Sequence, residues 1–101
     1  MRAKKTALTK AILSLNNEEE CLDFLEDMCT IKEIEDMASR LYIAKLLSEG
    51  KTFIDVEDET GASSATISRV NRCLKHGKGY QMVLERIGDF DLKESEESED
   101  S

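Results

Sequence analysis

The sequence predicts an all-helical fold, on three observations. None of the 101 residues is proline, the residue that most reliably breaks a helix. Leu, Ile, Met, Ala, Glu and Lys dominate, all good helix formers apart from the somewhat weaker Ile. Apolar residues recur at intervals of three and four, in stretches separated by residues suited to begin or end a helix. This length allows one domain with a modest core, so burial against a second subunit would add substantially to stability.

The first stripe, Ala7, Leu8, Ala11, Ile12 and Leu15, predicts a helix over residues 6–15. Asn16-Asn17 interrupts it. Asn17 followed by Glu18, Glu19 and Glu20 is a helix start, with a capping side chain and acids beside the free first-turn N–H groups. That second helix is expected to bury Cys21, Leu22, Leu25 and Met28. Thr30 with Glu33 three residues on is a capping-box pattern for a third helix. Along it run Ile34, Met37, Ala38, Leu41, Ile43, Ala44 and Leu47, with Gly50 as its stop.

Shorter elements follow. Thr52 caps a helix ending near Thr60, with Phe53 and Val56 expected on its inner face. Gly61-Ala62-Ser63 reads as a tight turn, and Ser64 to about Lys75 as a helix with Ile67, Val70 and Leu74 inward. Gly77 and Gly79 break it; Tyr80, Met82, Val83, Leu84 and Ile87 give a last helix closed by Gly88. Residues 1–88 are thus expected to form one helical domain, and residues 89–101 a disordered acidic tail with little to bury.

The net charge of −8 is unevenly placed. Residues 89–101 carry seven acids against Lys93 alone, a net of −6, whereas residues 1–88 have fifteen acids and thirteen Lys or Arg, a net of −2. The first ten residues hold Arg2, Lys4, Lys5 and Lys10 without an acid; residues 63–86 hold Arg69, Arg72, Lys75, Lys78 and Arg86 against Glu85. Local field governs attraction to nucleic acid more than total charge does. The N-terminal basic segment reads equally as an arm for flanking phosphates or as a frayed, soluble end. Cys21, Cys29 and Cys73 lack CxxC spacing and read as idle thiols of a reducing compartment. Cys73 and His76 alone do not make a zinc site, and no metal or cofactor is expected. Without a signal peptide or an apolar run near twenty residues, a cytoplasmic protein away from membranes is expected. One histidine, no nucleophile–base arrangement and no glycine-rich phosphate loop argue against an enzyme.

The informative stretch is FIDVEDETGASSATISRVNR, Phe53 to Arg72. A DNA-reading helix-turn-helix joins two short helices through a turn of three or four residues, often with a glycine at positive φ. Val56, Ala62, Ile67 and Val70 put apolar groups where two such helices would touch, over about residues 52–75. Ser64, Ala65, Ser68, Arg69 and Arg72 are left outward. Hydroxyls and free N–H groups at a helix start grip phosphate, arginine fits guanine O6 and N7, and alanine can approach a thymine methyl. Ala65, Ser68 and Arg69 are assigned to base reading, Arg72 to a base or a phosphate, and Lys75 and Lys78 to the DNA backbone. Because one short helix covers few base pairs, a twofold homodimer on a palindromic operator is expected. The rival reading is a protein-binding module that keeps this shape and docks onto another regulator.

From about Leu25 to Ile87, the run FLEDMCTIKEIEDMASRLYIAKLLSEGKTFIDVEDETGASSATISRVNRCLK resembles the Trp-repressor superfamily, specifically its YerC/YecD-like branch of small Gram-positive proteins. The resemblance implies an intertwined, all-helical homodimer that binds operator DNA, with Phe53–Thr60 and Ser64–Arg72 as the paired helices. Thr30, Arg40, Thr66 and Arg69 fall on family positions around the recognition helix and the effector pocket. Two positions depart: Val70 replaces a glycine that lets an indole lie against the recognition helix, and Cys73 replaces a serine that helps hold the ligand's ammonium. Branched Val70 would occupy ligand space and Cys73 is a poor acceptor. The expectation is a repressor that does not answer to tryptophan, with either no effector or an unknown one in that pocket. Arg40 has a second reading, as a surface residue paired with Asp36 one turn earlier.

Overall fold

The computed structural model describes residues 2–88, and among these every regular element is a helix, with no strand. The expected acidic tail, residues 89–101, lies outside the described residues. Six helices follow in order: α1 Arg2–Leu13, α2 Glu18–Met28, α3 Ile31–Ser48, α4 Phe53–Thr60, α5 Ser64–His76 and α6 Gly79–Ile87. The fold divides into two compact units, one ending at Asp36 and the other beginning at Met37.

In the first unit, α1 starts earlier than its apolar stripe, at Arg2. Arg2, Ala3, Lys4 and Lys5 favour the helix and nothing there stops it. The expected caps form. The Glu20 N–H donates to Asn17 Oδ1 at 2.9 Å. Thr30 and Glu33 exchange bonds, Glu33 N–H to Thr30 Oγ1 at 3.0 Å and Thr30 N–H to Glu33 Oε1 at 2.8 Å. Satisfying these end groups contributes about 1 kcal/mol per cap. Yet neither α1 nor α2 has a buried residue. Leu8, Ile12, Leu22 and Met28 stand 42 to 54% exposed, and Cys21 is exposed as well. The inward positions expected for Cys21, Leu22 and Met28 are therefore corrected: all three stand exposed, since two short helices and one further turn supply too little surface within their own unit to cover this face. Leu25 is half-buried.

The core lies in the second unit. Ile43, Ala44, Leu46, Val56, Ile67 and Val70 form one cluster, flanked by half-buried Tyr42, Leu47, Ala62, Tyr80 and Leu84. Leu46 was not among the expected inward residues. It is buried because the C-terminal half of α3 is enclosed over a wide arc, where a single stripe reaches only Ile43, Ala44 and Leu47. Met37 and Ala38, farther from this cluster, are exposed. Phe53, placed inward from sequence, is 38% exposed; it opens α4, one turn before the core begins at Val56. α3 ends at Ser48 and is closed off by Gly50, whose φ of 92° lets the Lys51 N–H return to the Leu46 carbonyl at 3.1 Å. No helix among the described residues is long and apolar enough to cross a membrane.

Candidate nucleic-acid interface

The segment between Lys51 and Gly77 is punctuated at every joint. Thr52 and Asp55 make a reciprocal capping box at the start of α4. Gly61 ends α4 in the left-handed region, φ 72° and ψ 7°, donating its N–H to the Glu57 carbonyl at 2.9 Å. A Cβ there would meet no neighbour within 4 Å, so the demand for glycine at this joint is conformational and not steric. Thr60 completes the turn from its side chain, its hydroxyl donating to the Val56 carbonyl at 2.7 Å and accepting the Ala62 N–H at 3.1 Å. This relay was not foreseen from sequence; Thr followed by Gly is its only written trace. Ser63 then caps α5, accepting the Thr66 N–H at 3.2 Å and donating to Thr66 Oγ1 at 3.1 Å.

With both ends fixed, α5 has a set rotation. Ile67 and Val70 are buried and Leu74 is half-buried, so one face is committed to the core it shares with Val56 of α4. On a helix of 3.6 residues per turn, Ala65, Arg69 and Arg72 then fall opposite that face, with Ser68 and Lys75 beside them. All of these are exposed, as are Ser64 at the start of the helix and Lys78 just beyond its end. Among the described residues, ion pairs join Lys32 to Asp36 at 3.0 Å and Lys45 to Glu49, and neither involves the cations of α5. The first pair also takes up the carboxylate considered as a partner for Arg40. A guanidinium held out in solvent without a carboxylate is free to meet an external anion, bidentately if that anion is a phosphate or a guanine edge.

The neighbouring surface is less favourable to nucleic acid. Asp55, Glu57, Asp58 and Glu59 of α4 are all exposed, so within the α4–α5 pair attraction is confined to α5 and its end.

Below α5, a solvent-open cavity of about 440 Å³ is lined by Leu41, Cys73, Gly77, Gly79, Tyr80 and Val83. Gly77 is required there by close approach, since a Cβ would lie 2.7 Å from the Cys73 carbonyl oxygen. The Gln81 side-chain amide donates to the Leu74 carbonyl at 2.6 Å and ties α6 to the end of α5. Of the residues expected around an effector, Cys73 lines this cavity and Val70 is 1% exposed, part of the core. Arg40 and Thr66 are half-buried and Arg69 is exposed. Thr30 caps α3 in the other unit. No group of three or more metal-ligating side chains occurs among the described residues.

Comparison with known proteins agrees with this architecture. The family model described as Trp repressor protein matches residues 3–88. The uncharacterized protein YerC of Bacillus subtilis (strain 168) is 49% identical over 89 residues, covering 87% of this chain and 86% of that protein. Among solved structures, a TrpR-like protein from Eubacterium eligens ATCC 27750 superposes with a TM-score of 0.80 at 48% identity, covering 90% of this chain and 94% of that one. A proposed Trp repressor from Staphylococcus aureus gives a TM-score of 0.79 at 46% identity, over 84% and 86% of the two chains. The all-helical chain, whose helices follow the pattern of these TrpR-like structures, belongs to the Trp repressor family.

Proposed function

We propose that this protein is a sequence-specific duplex DNA-binding regulator of transcription, acting in the cytoplasm as a homodimeric repressor that does not respond to tryptophan. In this reading α4 and α5 are the two helices of a helix-turn-helix. The observation that carries it is the exposure of Ala65, Ser68, Arg69 and Arg72 on the face of α5 away from Ile67 and Val70. Ala65, Ser68 and Arg69 read base edges in a major groove, Arg72 a base or a phosphate. Ser64, Lys75 and Lys78 position the DNA backbone.

Dimerisation is supported by the uncovered faces of α1 and α2, which a second copy would bury within residues 1–88. Two recognition helices related by a twofold axis would meet major-groove faces about 34 Å apart, hence a palindromic operator. Light scattering should give the dimer mass; the monomer mass would remove the symmetric operator from the proposal.

The direct test is selection from a pool of random duplexes with the wild-type chain, R69A and R72A. Enrichment of a palindrome that both variants lose supports the reading. The exposed acids of α4 favour one rival, a module that docks onto another regulator; absence of any enrichment at low salt would select it.

A further inference from the structure

The acidic segment 89–101 and the basic face of α5 complement one another within one chain. We propose that this segment docks on Arg69, Arg72, Lys75 and Lys78 and competes there with duplex phosphate, so that the protein carries its own polyanionic competitor. The competition, though not the docking, rests on the DNA-binding reading above.

Three observations converge on it. Arg69, Arg72, Lys75 and Lys78 are exposed, and no ion pair among the described residues engages them. The one acid in residues 63–86 is Glu85, which stands beside Arg86. The segment after Gly88 concentrates seven carboxylates against one lysine.

Its point of origin also fits. The segment leaves from Gly88 at the end of α6, a helix of nine residues packed against α5 and tied to it through Gln81 and Leu74. α6 is about 13 Å long and α5 about 20 Å, at 1.5 Å per residue. A stretch of this length can span up to about 45 Å, so the whole basic face is within reach. Attachment to the same chain gives an effective concentration on the order of millimolar.

Exposed ion pairs are individually weak and screened by salt, so the docked segment would be readily displaced. A cognate operator adds base contacts that the segment cannot imitate, whereas a random duplex offers little beyond the phosphates the segment does imitate. The internal competitor therefore subtracts more from nonspecific than from specific binding, and sharpens discrimination.

The test uses the full-length chain with all seven acids between Asp89 and Asp100 exchanged for their amides, beside the wild type, with circular dichroism to confirm equal helicity. Two measurements are made at about 50 mM and about 300 mM salt, a range over which phosphate contacts weaken steeply. One is affinity for a random duplex; the other, without DNA, is the backbone amide spectrum of residues 64–78. The proposal expects about a tenfold rise in nonspecific affinity at the lower salt, shrinking at the higher, together with amide shifts centred on Arg69 to Lys78. Unchanged amides overturn the docking, even if affinity rises through long-range repulsion alone. Shifted amides with equal affinity overturn the competition. If neither protein binds any duplex while the amides shift, the docking stands and the DNA-binding reading fails.

Discussion

The Tyr42 hydroxyl donates to the Glu59 carboxylate at 3.1 Å, linking the core half of α3 to the last turn of α4 just before the Gly61 joint. The bond is exposed, so it competes with water, yet it joins residues far apart in sequence. Tyr42→Phe should lower stability by about 1 kcal/mol, read as a reduced urea midpoint with an unchanged slope. A shift within error would mean that water replaces the hydroxyl at no cost.

Gly77 and Gly79 should respond to alanine with opposite signs. A Cβ at Gly77 would lie 2.7 Å from the Cys73 carbonyl oxygen, and that oxygen belongs to backbone already fixed by the end of α5. Gly77→Ala should destabilise by about 1 to 3 kcal/mol, the range for forced overpacking. Gly79 lies in the first turn of α6 with nothing within 4 Å of the added carbon. Gly79→Ala should stabilise by about 0.5 kcal/mol through the helix preference of alanine. Thermal melts of the two variants, compared directly, decide it.

Base reading and phosphate gripping separate in their salt dependence. Lys75→Ala should weaken binding to all duplexes alike and reduce the slope of log affinity against log salt by about 0.9. Arg69→Ala should cost about 1 to 3 kcal/mol on the selected site and relax preference at one base pair. Equal losses on selected and random duplexes for R69A would move Arg69 from reading sequence to gripping phosphate.

Tryptophan should produce no saturable heat in a calorimeter at micromolar concentration. Val70 packs into the core cluster at 1% exposure, and Cys73 places a thiol, a poor acceptor, at the edge of an apolar cavity. Saturable uptake would show that the branched side chain leaves room for an indole after all.

Local chemistry made most of the second unit legible in the sequence. Thr52, Gly61 and the serines after it mark their joints because each has a distinct backbone duty, and α5 begins at Ser64 as its composition indicates. Ile67 and Val70 are buried because period and burial coincide on a helix with one covered face. Leu46 escaped because α3 is enclosed on a broader arc than periodicity describes. Phe53 misled because a first-turn residue can satisfy the period and still project past the core. Cys21, Leu22 and Met28 show the larger limit: apolar spacing states that a face is to be covered, not which molecule covers it. For the interface, residue type and spacing identify the outward arginines, whereas the Thr60 relay depends on a hydroxyl's orientation that no pattern encodes.

Because no residue of α1 or α2 is fully buried, a second copy as cover for their apolar faces would make abundance a control variable. While unpaired subunits predominate, paired protein would then accumulate with the square of subunit concentration, so dilution by growth would loosen the molecule and vacate its sites together. A regulator built this way can be turned down by slower synthesis alone, without a small molecule to release it.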